Sequence, residues 1–182
     1  AHDEARSSEN GRVRRWPVLS TFPAPGDQAR PPDLVGRDRE LAAIDRLIDD
    51  RRAVAMAVLL DGVAGIGKTS LWRAGRTRAA EAGLRVLAAE LGERETDLPL
   101  VGLLDLIGPI EAATEEPIEA LAIGRAVVAQ LGSLAAGGPV VIAIDDVQWL
   151  DPVSDHVLTF AVRRLVDRPI RLLLTRRTDR DE

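Results

Sequence analysis

A glycine-rich stretch at residues 62–69 constrains the fold of this 182-residue chain more than any other part of its sequence. It reads Gly-Val-Ala-Gly-Ile-Gly-Lys-Thr and matches the pattern G-x-x-x-x-G-K-[ST] at every fixed position. The continuous apolar run at 53–60 that precedes it is typical of a strand buried on both faces, as in a parallel sheet. Residues 68–82, which follow, are predicted to form a helix. This context of strand, turn and helix is the one that the pattern needs, so we predict a phosphate-binding loop.

The chemistry of phosphate binding explains the residue types in this loop. Glycines permit a tight turn that brings backbone N–H groups close to phosphate oxygens, and the helix that follows offers free N–H groups at its N-terminus. Lys68 places a compact charge on the β- and γ-phosphates, and the Thr69 hydroxyl is a ligand for Mg²⁺. Lys68 is also the only lysine among 24 Lys and Arg residues, and it stands where a forked arginine is not equivalent. The predicted nucleotide-binding residues of the loop are Gly62, Val63, Ala64, Gly65, Ile66, Gly67, Lys68, Thr69 and Ser70.

Two acids follow the clearest buried strand of the sequence, the apolar run at 140–144. Asp145 is placed to hold Mg²⁺ or its bound water, and Asp146 is placed to polarise the water that attacks the γ-phosphate. Related ATPases commonly have glutamate at the second position, and aspartate is shorter by a methylene, so slow hydrolysis is expected. The alternative is an acidic pair that is merely solvated at the end of a strand.

The rest of the chain alternates between helical and strand patterns. Residues 1–33 are polar and rich in proline, so we expect a flexible N-terminal segment there, followed by one domain at 34–182. In addition to the elements beside the loop, apolar spacing predicts helices near 38–51, 99–107, 118–135 and 154–166 and strands near 84–91 and 170–174. This alternation implies an α/β fold with a parallel sheet flanked by helices, whose ligands bind beyond the carboxyl ends of the strands. The element order favours the ATPase division (ASCE) with a strand inserted beside the loop strand over small-molecule kinases.

Thr175, Arg176 and Arg177 follow the last predicted strand and are therefore expected to face the same ligand. A polar or cationic residue here would sense the γ-phosphate, and we choose Arg176 because it lies closest to the strand end. The alternative is a solvated arginine pair on a loop. With Lys68 and Asp146, Arg176 completes the predicted catalytic set. The guanine-specific motif N-K-x-D is excluded, since the only lysine belongs to the loop, and ATP is the predicted nucleotide.

Composition excludes several other classes of function. No apolar run approaches the ~18 residues of a membrane span, no secretory signal begins the chain, and cysteine is absent. The net charge of −5 argues against direct nucleic-acid binding, because neutralising phosphates requires a basic surface. We therefore expect a cytoplasmic protein that makes no membrane or nucleic-acid contact of its own.

Residues 34–41 read Leu-Val-Gly-Arg-Asp-Arg-Glu-Leu and resemble the hhGR-x-x-E-L segment of AAA-type signal-transduction ATPases, the STAND group. With the loop and the stretches 145–151 and 172–176, they resemble the N-terminal ATPase domain of large LuxR-type, MalT-like transcriptional regulators over about residues 34–178. The resemblance implies an ATP-driven regulatory switch. It also implies positions for site residues. Val35, Gly36 and Arg37 lie near the adenine, while Lys68 grips phosphate and Asp145 holds Mg²⁺.

Regulators of this kind continue into a further strand, a winged-helix segment, helical repeats and a C-terminal helix-turn-helix. The chain lacks an initial Met and ends soon after a predicted strand, so we expect a C-terminally truncated fragment. Its expected partners are ATP and the regulatory and DNA-binding domains of the parent protein. Without the further strand, the loop strand is expected to have one open edge. Nucleotide-dependent self-association is a further expectation.

Several functions remain open from the sequence. The first is a regulatory ATPase with slow Mg²⁺-dependent hydrolysis. The others are a phosphotransferase (kinase) acting on a small molecule, a nucleotide-binding scaffold without turnover, and the ATPase module of an adenylate cyclase or protein kinase regulator. Two acids directly after a strand and no evident substrate lid favour the first over the phosphotransferase.

Overall fold

The computed structural model describes residues 34–110 and 120–178, together with the backbone of a short strand at 18–21. The strands are β1 (Val18–Thr21), β2 (Met56–Gly62), β3 (Arg85–Glu90), β4 (Val140–Asp145) and β5 (Ile170–Arg177). The helices are α1 (Asp38–Asp49), α2 (Lys68–Glu81), α3 (Val101–Ile107), α4 (Ala120–Ala136) and α5 (Pro152–Arg164). Each helix and strand predicted within 34–182 is present, with its ends displaced by a few residues.

The strands form one parallel sheet in the order β1-β2-β5-β4-β3. β5 therefore lies between the loop strand β2 and the acid-bearing strand β4, which confirms the predicted α/β fold with a strand inserted beside the loop strand. In the β2–β5 register, Gly62 is opposite Arg177. In the β3–β4 register, Glu90 is opposite Asp145. The carboxyl ends of these strands thus share one edge of the sheet, where ligands of such folds bind.

Alternating side chains bury both faces of the sheet. On one face, Val58 and Leu60 of β2 join α1 and α2 in a single apolar cluster. On the other face, Ile142 and Ile144 of β4 join α3, α4 and α5 in a second cluster. Both faces of β4 are therefore covered, which explains why its sequence is a continuous apolar run rather than an alternating one.

The contact between α2 and β5 depends on a glycine. A Cβ atom at Gly75 would lie 2.6 Å from Leu173 Cδ2 and 3.1 Å from Ile44 Cγ2, closer than side-chain carbons pack. Glycine inside a helix is about 1 kcal/mol less favourable than alanine, so this close approach has a local energetic cost. The glycine allows α2, which begins at Lys68, to pack directly against β5, which ends at Arg177.

The start of α5 is fixed by a buried aspartate. Asp151 precedes Pro152, the first residue of the helix, and its Oδ1 accepts hydrogen bonds from Ser154 N at 2.9 Å and Leu100 N at 3.1 Å. The first bond caps α5, and the second holds the residue that precedes α3. Trp149, between this cap and the acids of β4, is partly buried and packs against the second apolar cluster.

A buried arginine organises the opposite edge of the sheet, where β5 begins. Arg171 has no solvent-exposed surface, and its Nη2 donates to Asp50 O at 2.8 Å and to Arg52 O at 2.9 Å. Its Nη1 donates to Val54 O, and the Asp50 carboxylate lies 3.8 Å from Nη2. Burial lowers the pKa of Arg171, with the Asp50 carboxylate opposing it. Arg171 thus ties the loop after α1 to β5.

β1 differs from what the sequence suggested. Residues 1–33 were expected to be flexible and the outer edge of β2 to be open, yet Val18–Thr21 pairs in parallel with β2. The run that forms this strand is only four residues long and lies between Pro17 and Pro23, so it gives no sustained pattern. The remaining residues of 1–33 lie outside the part that the structure describes. Among the described residues, no helix is long and apolar enough to cross a membrane.

Candidate functional site

The glycine-rich loop connects β2 to α2 through two left-handed residues. Gly65 has φ of 78° and Gly67 has φ of 94°, conformations that residues with a Cβ adopt only at a cost. Gly67 is also the N-cap of α2 and supplies no side-chain acceptor for the first N–H groups of that helix. These donors are therefore available to an anion at the helix N-terminus.

Lys68 is a buried cation held by its own loop. Only 6% of its surface is exposed, and Nζ donates to Gly62 O and Val63 O, each at 2.9 Å. Burial lowers the pKa of Lys68, while the carboxylates of Asp146 and Asp145 act in the opposite direction. Within the described part of the chain, Nζ has these two neutral carbonyls as acceptors and no carboxylate in direct contact, whereas a buried charge favours a directly paired anion.

The loop, Asp146 just after β4 and the end of β5 enclose a cavity of about 320 Å³. Its lining is polar and contains both predicted and unpredicted residues. These residues are Ala64, Gly65, Gly67, Lys68, Thr69, Ser70, Asp146 and Arg177. Of the other predicted loop residues, Gly62 and Val63 supply the carbonyls that hold Lys68, and Ile66 is buried beneath the turn.

Thr175, which the sequence placed near the ligand but gave no particular role, is buried and organises the two acids. Thr175 Oγ1 donates to Asp145 Oδ1 at 2.5 Å and accepts from Asp146 N–H at 2.7 Å. Thr175 is fully buried and Asp145 is 5% exposed. Asp146 adopts a left-handed conformation with φ of 54°, which turns the chain sharply after β4. The hydroxyl therefore fixes both the orientation of the first carboxylate and the main chain of the second acid.

Gln148 adds a second link between the acids and β5. Its Nε2 donates to Asp146 Oδ1 at 3.0 Å, and its Oε1 accepts from Arg177 N–H at 3.0 Å. The side chain belongs to a single 3-10 turn, Val147–Trp149, that follows the left-handed Asp146. Sequence spacing alone gave no signal for this contact, because it depends on the direction in which that turn leaves the sheet.

The two arginines at the end of β5 point to different places. Arg176, the residue chosen from the sequence as sensor, pairs with Asp61 through an Nη2–Oδ2 contact of 2.6 Å. It also borders a mainly apolar cavity of about 500 Å³ on the α5 side of the sheet. Arg177 borders the cavity that contains Lys68. Because successive side chains on a strand alternate between faces, only one of two neighbouring arginines reaches the loop.

The segment at 34–37 packs against the loop from outside. Arg37 Nη2 donates to Ile66 O at 2.7 Å, and Nη1 lies 3.4 Å from Glu40 Oε1. Gly36 has φ of 75°, and Val35 is 79% exposed beside it. The structure thus connects Arg37 to the glycine-rich loop and leaves the Val35 side chain on the surface.

The oxygen donors at this site suit Mg²⁺. Magnesium prefers hard oxygen ligands and is commonly held by one or two protein groups together with substrate phosphates and water. Thr69 borders the cavity, and the Asp145 carboxylate is oriented by Thr175 at the end of β4. Among the described residues no group of three or more His, Cys, Asp or Glu could hold a metal ion by itself. The residues therefore fit an ion that arrives with phosphate, not a metal site complete within the protein.

The sequence that forms this site is similar to sequences of known proteins. A profile of the family described as AAA ATPase domain matches residues 33–174, which include the loop, both acids and most of β5. The uncharacterized protein R02095 of Rhizobium meliloti (strain 1021) is 28% identical over 189 aligned residues, which cover 79% of this chain. The chain spans only 18% of the length of that relative.

Structural comparison finds the same architecture in two origin recognition complex (ORC) structures. The structure of Drosophila ORC bound to DNA matches 80% of this chain and 38% of its own, with a TM-score of 0.56 and 21% identity. The Aeropyrum pernix ORC2 protein in its ADP form matches 85% of this chain and 45% of its own, with a TM-score of 0.51 and 24% identity. At these identities the similarity concerns the fold.

Proposed function

This chain belongs to the AAA ATPase domain family and is an ATP-binding module, and from this premise we propose that it works as a regulatory switch with slow Mg²⁺-dependent ATP hydrolysis. The observation that carries the proposal is the state of Lys68. Among the described residues, this buried ammonium has two neutral carbonyls as its acceptors, and it borders a cavity that also contains the N-terminus of α2 and Thr69. A polyphosphate supplies the negative charge that this arrangement lacks.

In the proposed mechanism, ATP binding replaces hydrogen bonds to neutral carbonyls with hydrogen bonds to charged phosphate oxygens. Lys68 leaves the carbonyls of Gly62 and Val63 for the β- and γ-phosphates, and the N–H groups of the loop and helix contact phosphate oxygens. Thr69 and Asp145 would hold Mg²⁺, which supplies positive charge that offsets the phosphates. Arg177, which borders the same cavity, is the proposed contact to the γ-phosphate in place of Arg176.

Hydrolysis then requires a positioned water. Its oxygen bonds to the γ-phosphorus, while the bond from that phosphorus to the bridging oxygen breaks and ADP leaves with the electron pair. Asp146 accepts a proton from this water, and the other product is inorganic phosphate. We expect slow turnover, because the aspartate side chain is short and one of its oxygens already accepts from Gln148.

The wider context of the proposal is a longer regulator. The chain spans 18% of the relative in Rhizobium meliloti, and its segments at 34–41 and 145–151 resemble LuxR-type, MalT-like regulators. We propose that nucleotide state alters packing against the regulatory and DNA-binding domains of a cytoplasmic parent protein, with self-association as a further response. DNA contact is assigned to those domains and not to this chain.

Single-turnover hydrolysis tests the proposal most directly. Asp146→Asn keeps the size and backbone preference of the residue but removes the base, so the rate is expected to fall by about 100-fold while ATP still binds. Asp105→Asn, which changes an exposed acid on α3, is the matched control and is expected to leave the rate unchanged. Rapid hydrolysis that is insensitive to Asp146→Asn would contradict the role proposed for this residue.

Product analysis with ATP labelled in the γ-phosphate separates the remaining alternatives. Release of labelled phosphate supports the switch. Transfer of the label to a metabolite would instead identify a phosphotransferase, and tight ATP binding without turnover, even with partner domains present, would identify a scaffold.

A further inference from the structure

We propose that Gln148 is a positioning residue that couples Arg177, at the carboxyl end of β5, to the carboxylate of Asp146. The inference rests on the proposed function, because it assigns Asp146 the role of base. It concerns how that base is oriented and how its orientation depends on the contents of the cavity.

The orientation of the Gln148 amide is fixed by its partners. The Asp146 carboxylate accepts hydrogen bonds and the Arg177 N–H donates one, so the amide nitrogen must face Asp146 and the oxygen must face Arg177. A flipped amide would lose both bonds. Gln148 is thus a two-ended brace of defined polarity, with both contacts at 3.0 Å.

Asp146 is consequently anchored at two atoms, once directly by β5 and once by Gln148, which is itself bonded to β5. Thr175 Oγ1 holds its backbone N–H, while Gln148 connects its Oδ1 to the peptide of Arg177. The first anchor sets where the residue lies. The second sets the rotation of its side chain, because a carboxylate held at one oxygen has a restricted direction for the other.

Arg177 makes this brace sensitive to ligand. Its side chain borders the cavity of Lys68, and its main-chain N–H is the group that Gln148 accepts from. A γ-phosphate that attracts the Arg177 side chain shifts the same peptide, and Gln148 transmits the shift to Asp146. Gln148 itself lies outside this cavity and borders the apolar cavity on the α5 side. Its effect on turnover is therefore separable from ATP affinity.

Gln148→Leu tests the brace, because leucine removes both hydrogen bonds at similar volume. The single-turnover rate is expected to fall about 10- to 100-fold, as expected when a catalytic group loses its orientation. The Kd for ATP is expected to change less than about threefold. Gln130→Leu is the matched control. Gln130 lies on α4, and its Nε2 donates to Ile107 O of α3 at 2.9 Å. The control variant therefore loses a side-chain hydrogen bond away from the site and is expected to keep the wild-type rate.

Gln148→Glu provides a readout that a purely structural residue would not give. The new carboxylate still accepts from Arg177 N–H but has no N–H group to donate to Asp146 Oδ1, so only the Asp146 end of the contact is lost. The single-turnover rate is expected to fall about as far as in Gln148→Leu, with the Kd for ATP changed less than about threefold. A wild-type rate in Gln148→Glu would overturn the proposal.

The outcomes separate the inference from the function on which it rests. If the wild-type chain neither binds nor hydrolyses ATP, both are overturned. If it hydrolyses ATP and Gln148→Leu behaves like Gln130→Leu, the brace is overturned and the ATPase stands. A lower rate with equal Kd in Gln148→Leu alone supports both.

Discussion

Two buried cations, Lys68 and Arg171, occupy opposite edges of the same sheet. Both donate to main-chain carbonyls, and burial lowers the pKa of each. Arg171 is fully enclosed and is held by carbonyls of Asp50, Arg52 and Val54, with the Asp50 carboxylate nearby. Lys68 is held, among the described residues, by two carbonyls and borders a cavity. Both cations thus donate to carbonyls, but Arg171 is enclosed by protein whereas Lys68 lies beside a cavity.

The difference indicates what separates a structural cation, Arg171, from the proposed phosphate-binding cation, Lys68. No solvent reaches Arg171, so nothing can replace its acceptors without unfolding the loop after α1. Lys68 faces a cavity large enough to admit phosphate oxygens, which are stronger acceptors than carbonyls. In the proposed mechanism, its two carbonyl bonds are the contacts that Lys68 exchanges for phosphate. Burial alone would not have distinguished the two residues.

Removing the structural cation should have the largest effect. Arg171→Leu leaves three partly buried carbonyls without their charged donor, so the free energy of unfolding should fall by about 3–5 kcal/mol. Chemical denaturation measures it. Arg168→Leu, an exposed arginine just before β5, is the control and should change stability by less than about 0.5 kcal/mol. Equal stability of the two variants would break the comparison.

Removing the binding cation should act on affinity instead. A hydrogen bond to a charged partner contributes about 1.5–3 kcal/mol, so Lys68→Met should weaken ATP binding about 10- to 100-fold. Stability should not fall appreciably, because burial already disfavours the charged form. Titration calorimetry and denaturation on the same sample measure both. Arg73→Met removes an exposed cation from the same helix and should leave the Kd unchanged.

A smaller effect concerns the acid beside Arg171. Hydrogen bonds from the side chain and backbone of Arg52 lower the pKa of Asp50 from 3.8 to about 2, with Arg171 adding a weaker attraction. A carboxylate with a depressed pKa stabilises the fold above the unfolded value, and this contribution disappears as pH falls through the folded value. Asp50→Asn should therefore be less stable than wild type above pH 3.8, and the two should converge towards pH 2.

Denaturation at several pH values measures this convergence. Asp49→Asn, the exposed neighbour, should run parallel to wild type throughout. A constant difference between Asp50→Asn and wild type down to pH 2 would instead assign the effect to packing.

The sequence predicted the parts of the site that depend on local pattern. The loop at 62–69 carries its own geometry in its glycines, and the acids at 145 and 146 follow a strand that is buried on both faces. Both signals lie within a few consecutive residues, and the parallel topology brings them together at one edge. Element order also predicted a strand inserted beside the loop strand, because such sheets have few allowed topologies, and the structure shows that this strand is β5.

The sequence did not predict contacts that depend on which face of a strand a side chain lies on, or on the direction in which the chain leaves a turn. Proximity to the strand end favoured Arg176, but alternation along β5 turns Arg177 to the loop and Arg176 to Asp61. The contacts of Gln148 could not be predicted either, because the left-handed conformation of Asp146 is what brings the partners of Gln148 together. Arg171 lies inside a run otherwise read as apolar, and its acceptors are more than a hundred residues away.

The left-handed backbone at Asp146 also shapes how this protein can evolve. Aspartate and asparagine tolerate φ near 54° better than longer side chains, which lose about 1 kcal/mol or more there. A glutamate would carry its carboxylate further towards a bound γ-phosphate, yet it would strain the turn that supports it. Asparagine would remove the proposed base without strain. If Asp146 has that role, mutational drift at this position is biased towards a chain that binds ATP without hydrolysing it and away from faster hydrolysis.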